Sequence, residues 1–433
     1  MKIIIVAFAA LASVLTGCTD SSDSRESVPT PPPQPEPTSS VSARVAVAED
    51  LLAGPLARGV PGDYVLENRH LRVIIQQPGR QWLSIGTFGG NIIDVSAKDS
   101  AGGLLPDHLE EFVIGLNIEN TANYTDIRID SDGSDGQTAR ICATGPDDLL
   151  ELANASSAIE AFGVALPSSA DDKDLPVDIE TCYTLEKGAQ HIVLETTLTN
   201  QGADNLPVYL TEYLNGSGQV EFFQPYAGFG EPQFTASCPV ETYVSCDALE
   251  GGLCDQCNFV VFNGVDGARG VSYGLIHGEQ KTSSFSTSGI NIVVYGEGVL
   301  NLILGAVPPN YSIPGNGSLS LKRYFAVGDG TVASIAAIRD ELFGIDTVEV
   351  TGKVSSAGMP LAGASIPVYK ILDGQANPPA LFLVNHTTTD ATGSYTMQLP
   401  PGTYEINVNV EGYLSPAGNI APLVVGEAAV TRN

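Results

Sequence analysis

HIVLETTLTNQGADNLPVYLTEYLNGSG, residues 191–218, decides the fold class. Apolar and polar side chains alternate over 191–199, the period of a strand with one face in a core. A second β run, 206–214, follows across a polar loop, so the stretch reads as a strand pair. The same grammar recurs outward from it. YVLENRHLRVIIQ (64–76) holds two short β runs around a Glu-Asn-Arg turn, and TDIRIDSDGSDGQTARICATG (125–145) is a hairpin with an Asp, Ser and Gly tip. Further runs lie at 258–262, 271–277, 290–295, 299–307 and 319–327. More than a dozen strands and almost no helical periodicity predict an all-β protein, its main part a large antiparallel β-sandwich of supersandwich type. One helix is expected, GTVASIAAIRDEL at 330–342, with apolar residues at 332, 335, 338 and 342 closing that part.

The N-terminus has a different composition. Met1-Lys2 precedes an uncharged apolar run from Ile3 to Leu15. A membrane-spanning helix needs about 20 apolar residues, so this run reads as a secretory signal. Leu15-Thr16-Gly17-Cys18 resembles the lipobox of bacterial lipoproteins, and the resemblance implies cleavage before Cys18 and acylation of that cysteine. Thr19 rather than an acid follows it, which by resemblance to Gram-negative sorting favours the outer over the inner membrane. Residues 19–42, TDSSDSRESVPTPPPQPEPTSSVS, contain six prolines and no aromatic ring. Such a segment buries too little apolar surface to fold and reaches roughly 70 Å if extended. The expected organisation is a signal peptide at 1–17, lipidated cysteine and tether at 18–42, large sandwich at 43–345, and a smaller domain at 346–433.

The formal charge of −30, from 20 basic and 50 acidic residues, argues against nucleic acid and against adsorption to an anionic bilayer. Membrane contact is therefore expected through the lipid anchor alone. Beyond Cys18, six cysteines remain in an oxidising compartment, where disulfides are the default. Cys142 and Cys182 sit in strand-like runs suited to be neighbours. Cys238, Cys246, Cys254 and Cys257 cluster in a loop-rich stretch. Cys-x-x-Cys at 254–257 is also metal-ligand spacing, so a four-thiolate zinc site competes there, but compartment favours disulfides. The acids at Asp130, Asp132 and Asp135 are out of step with a calcium loop and read as a solvated hairpin tip, as does DDKD at 171–174.

From residue 346 the chain resembles the carboxypeptidase regulatory-like domain, a transthyretin-like sandwich of about seven strands. The matching residues are Gly352, Pro360–Ala364, Thr389–Tyr395, Leu399–Tyr404 and Gly412-Tyr413, with Tyr395, Leu399, Tyr404, Ile406 and Val408 alternating into a core. This fold is shared with carbohydrate-binding-like modules, which implies a sugar as one ligand class. LENRHLRVIIQQPGRQWLSIGTFGGNIIDV, EYLNGSGQVEFFQPYAGFGEP and RYFAVGDGTVASI resemble the N-terminal half of large secreted proteins of myxobacteria-like organisms. Many of those continue into a PHP-type metallohydrolase. Such a catalytic half needs a His-x-His motif, whereas His70, His108, His191, His277 and His386 are never closer than 38 residues.

No Gly-x-Ser-x-Gly with a matching His and Asp, P-loop or dinucleotide fingerprint occurs. His108 and Glu111 in DHLEEF are spaced to share a helical face, yet a lone pair reads as a surface contact. No catalytic residue, cofactor or metal is expected. Trp82, Phe88, Tyr226 and Phe229 lie in glycine-rich loops where rings stack on sugars or fill a core, with the core favoured. Two functions stand: a surface-anchored, non-catalytic module binding a glycan or protein, or an accessory part of a metal-dependent hydrolase.

Overall fold

The computed structural model describes residues 41–79, 88–117, 120–150, 175–225, 228–229, 258–265, 270–278, 282–287, 290–295, 309, 311–371, 381–413 and 421–433. Two antiparallel sheets carry the larger part. The first runs, in spatial order, Ser42–Val45, Tyr64–Glu67, Leu71–Ile75, Ile92–Ala97, Glu111–Leu116, Leu210–Asn215, Ile290–Tyr295, Thr282–Thr287. The second runs Asp126–Asp132, Thr138–Leu149, Val177–Glu186, His191–Asn200, Ser318–Gly328, Ser272–His277, Phe259–Gly264, Val220–Gln224, Gly228–Phe229. A short strand, Asn120–Ala122, pairs with a member of each and joins the two. The inward rows of both sheets fill one core, where Phe112 of the first meets Phe325 of the second at 5.1 Å between ring centroids.

The strand character of 191–199 is confirmed, with Ile192, Leu194 and Leu198 buried in that core. The expected partnership with the run that follows is corrected. His191–Asn200 pairs with Val177–Glu186 and Ser318–Gly328, while Leu206–Val208 pairs with Tyr311–Ile313 and Leu210–Asn215 enters the other sheet. Asn200 makes the crossing: its Nδ2 donates to Asp204 O at 2.8 Å and its Oδ1 accepts from Gly202 N at 2.8 Å. The run 64–76 does form a hairpin, and so does 126–149. At its tip, Asp132 accepts from Ser134 N and Asp135 from Gln137 N, both at 2.8 Å. These acids cap the turn and remain exposed.

The expected helix is Val332–Leu342, with Thr331 Oγ1 accepting Ser334 N at 3.1 Å as its N-cap. Val332, Ile335, Ala336 and Ile338 lie on the outer face of the second sheet, against Phe259, Val261, Ile276 and Ala326. Gly274 permits that approach, since a Cβ there would stand 2.3 Å from Ile335 Cγ2. From the other side of the helix, Ala333 belongs to a further core with Val350, Ile366, Val368, Tyr395, Met397, Leu399, Tyr404 and Ile406.

That further core lies between a three-stranded sheet (Ser394–Leu399, Val348–Lys353, Val430–Thr431) and a four-stranded one (Leu381–Thr388, Ser365–Ile371, Gly402–Ile406, Leu423–Val425). All pairs are antiparallel except Val348–Lys353 with Val430–Thr431. The seven strands match the transthyretin-like expectation. Phe229 of the large sandwich and Leu383 of the small one both pack against the helix cluster. Residues 39–433 accordingly form one compact unit.

Candidate functional site

The densest polar constellation lies inside the large sandwich. Arg323, 1% exposed, donates from Nε at 2.8 Å and Nη2 at 2.5 Å to Glu212 Oε1. Tyr295 OH donates to Glu212 Oε2, and Arg323 Nη1 to Thr196 Oγ1 at 3.0 Å. Thr196 and Thr181 share a hydroxyl contact of 2.9 Å, and Tyr124 OH donates to Thr181 Oγ1 at 2.6 Å. Glu212 and Tyr295 come from the first sheet, Arg323, Thr196 and Thr181 from the second, so the network ties the layers together. His277 stacks beside Tyr295 at 4.8 Å, and burial, followed by the Arg323 charge, pushes its pKa down to about 4. Burial lowers the Arg323 pKa, but the charge and hydrogen bonds of Glu212 together with the neighbouring Tyr295 and Tyr124 outweigh it, and the net shift is upward. With Glu212 at 0% exposure, this group has no face open to a substrate, and its chemistry is internal.

His108 and Glu111 do not share a helical face. Residues 105–110 are non-helical and Glu111 opens the strand Glu111–Leu116, and both side chains are buried rather than in surface contact. Neighbouring Asp107 accepts Val95 N at 2.8 Å, and its burial, reinforced by Asp94, raises its pKa well above the carboxylate range.

Cys142 and Cys182 face each other across Thr138–Leu149 and Val177–Glu186 and are joined in a disulfide. Asp130 stands beside them, but the bonded sulfurs offer no thiolate for a metal. Cys238, Cys246, Cys254 and Cys257 lie outside the described residues, as do Cys18, Trp82, Tyr226 and DDKD. Phe88 is half-buried, its backbone O accepting Gly79 N. Phe229 packs in edge contact with Phe223 at 5.0 Å and His386 at 4.7 Å. Its ring is therefore engaged in the seam between the two sandwiches.

A groove on the small sandwich offers what those aromatics do not. It measures about 730 Å³ and is lined by Gly363, Ser365, Asn409, Glu411 and Tyr413 among others. Ser365 and Asn409 exchange backbone hydrogen bonds at 2.8 and 2.9 Å, which fastens the segment after Gly402–Ile406 to the start of Ser365–Ile371. Val410–Tyr413 then turns, with Tyr413 N donating to Val410 O at 3.1 Å and Gly412 at φ +79°. That is the third position of a type II turn, which favours glycine. The turn presents Glu411 and sets Tyr413, 50% exposed, at the groove wall. In the adjoining segment, Thr389 Oγ1 accepts Ala364 N at 2.8 Å and donates to Leu361 O at 2.6 Å, fixing residues 361–365. Ser365 Oγ lies 2.8 Å from His386 Nε2, a ring whose pKa burial brings down to about 4. An exposed ring beside an amide, a carboxylate and a hydroxyl can stack on and hydrogen-bond a polar ligand. A second hollow of about 390 Å³ on the large sandwich, at Thr144, Asp178, Glu180, Thr197 and Thr199, has no aromatic ring among its described lining residues.

The sequence comparison agrees with this part of the fold. Residues 349–432 match the carboxypeptidase regulatory-like domain. No curated protein matches the chain. Among solved structures, a Synechocystis protein is 12% identical with a TM-score of 0.33, the match covering 63% of this chain and 97% of that one. An alpha-mannosidase from Enterococcus faecalis is 11% identical with a TM-score of 0.34, covering 66% of this chain and 34% of that one. A galactose mutarotase-like protein from Clostridium acetobutylicum is 9% identical with a TM-score of 0.33, covering 67% and 99% respectively.

The groove was only partly visible in the sequence. Gly412-Tyr413 stands out there as part of the domain pattern, not as a ligand contact. The available signal was Gly412, a turn-forming residue placed between Glu411 and Tyr413, since a glycine at the third position of a turn exposes its neighbours.

Proposed function

We propose that this protein is a lipid-anchored module of a bacterial cell envelope, held at the outer membrane through Cys18, that binds carbohydrate without turning it over. The observation carrying the binding reading is the groove at Ser365, Asn409, Glu411 and Tyr413, where an exposed ring adjoins polar side chains. The lipobox-like Leu15-Thr16-Gly17-Cys18 and the proline-rich 19–42 support the anchor and tether. The domain division is 43–345 for the large sandwich and 346–433 for the small one, with the helix as their joint. The non-catalytic part rests on the large sandwich keeping its charged network sealed from solvent.

A second reading is supported by the stretches that resemble large secreted proteins continuing into a PHP-type hydrolase. In that case the same body is an accessory to a metal-dependent catalytic domain and delivers it to substrate.

The test uses the protein comprising residues 39–433, which form one compact unit. A glycan array should show binding, while glycoside and phosphoester substrates are left intact with and without added divalent metal. Turnover that co-purifies with the protein through several columns would overturn the non-catalytic reading. For the anchor, Cys18→Ser in the full chain should abolish partition into detergent, and unchanged partition would refute lipidation.

A further inference from the structure

We infer that the groove selects sugars that are neutral or carry an amino group, seating one ring flat on Tyr413 and rejecting uronic acids. This rests on the carbohydrate reading above and assigns its ligand class and contact residues.

The lining sets the electrostatics. Among the described residues that line the groove, Glu411 carries the charge and none is Lys, Arg or His. Any anion entering meets a carboxylate with no cation to offset it, inside a molecule of formal charge −30. Recognition of carboxylate or sulfate groups normally needs arginine forks or lysine, and neither is among the described lining residues. An ammonium group instead gains from Glu411, and a hydroxyl can donate to it at no charge penalty.

The geometry supplies the rest. The Gly412 turn fixes Glu411 and Tyr413 on one short loop, and the Ser365–Asn409 bridge holds that loop to the adjoining strand. Tyr413 is half exposed, whereas Tyr395 and Tyr404 of the same sandwich are buried in its core. A phenol face presents an apolar, electron-rich surface to the C–H groups of a pyranose. Asn409 offers an amide able both to donate and to accept, the match for a pair of vicinal hydroxyls. Ser365 stands beside Asn409 across the bridge, its Oγ placed by His386. The site is thus preorganised, which limits the ordering cost of binding.

Isothermal titration of residues 39–433 with cellohexaose, glucosamine hexamer and galacturonic acid hexamer tests this. The first two should bind and the third should not at 0.15 M salt, with the glucosamine oligomer weakening as salt rises. Tyr413→Ala should weaken both binders at least tenfold. Glu411→Gln should leave cellohexaose within twofold, weaken the glucosamine oligomer, and admit the galacturonate. Unchanged thermal unfolding of each variant establishes that its fold is intact, as expected for exposed positions. Galacturonate bound by the unaltered protein as well as cellohexaose, or binding indifferent to Tyr413→Ala, overturns the inference while leaving the carbohydrate reading standing. Absence of any glycan on the array removes that reading itself.

Discussion

Glu212 receives Arg323 twice and Tyr295 once, and none of these groups reaches water. Removing one partner of a buried pair leaves an uncompensated charge, at a cost of about 3–5 kcal/mol. Glu212→Ala should therefore lower the denaturant midpoint far more than Glu195→Ala, whose pair with Arg140 at 2.6 Å is partly exposed. Equal effects in urea titration would contradict this account. The buried histidines give a pH signature. His277 and His386 titrate near 4 in the fold, against about 6.5 when unfolded. The unfolded chain then binds more protons between these values, so stability is full above about 6.5 and declines as pH falls to about 4. Glu67 extends the loss: burial alone would raise its pKa, but hydrogen bonds from Lys98, Arg44 and Arg72 bring it to about 2. Its contribution is present above about 4.5 and disappears toward pH 2. Asp107 works in the opposite sense, since its raised pKa makes stability fall as pH rises. A melting series from pH 7 to 4 should show a steady decline that is shallower in His277→Gln, and a flat series would refute it.

The elements show what period and composition can and cannot reveal. Alternation over 191–199 identified a strand because it reports which side chains face inward. It did not report the partner: the next strand belongs to the other sheet, a choice made by contacts with Glu111–Leu116 and Ile290–Tyr295 far away in sequence. DHLEEF failed for a related reason. Its spacing suited a helix, but Glu111 is drawn into the first sheet opposite Asn215. The helix Val332–Leu342 was legible because apolar spacing and a threonine cap agreed. Thr331→Ala should cost about 1 kcal/mol through loss of the Ser334 N contact. Calorimetry showing no change would remove the cap from the account. The Cys142–Cys182 bond closes 40 residues of separation, so its reduction should cost up to about 4 kcal/mol in the chain-entropy view. Urea midpoints with and without reductant check this, and coincident midpoints would contradict it.

At the scale of the molecule, one helix serves two cores. Its Ile335 and Ile338 side covers the second sheet, and Ala333 reaches the core of the small sandwich. Phe229, His386 and Leu383 continue the seam, so the groove belongs to the same compact unit as the large sandwich. The all-β class and the small domain were evident from turn residues and motif spacing. The groove was less so, because Tyr413 resembles the core tyrosines in sequence and differs from them only in exposure. We propose that this body holds a sugar at that groove. A crystal structure of residues 39–433 soaked with cellohexaose at a concentration that saturates binding in solution tests it most directly. A pyranose ring should lie parallel to the Tyr413 ring, within hydrogen-bonding reach of Asn409 and Glu411. A sugar seated beside Phe88 or on the Thr197 face, with the Tyr413 groove empty, would contradict it.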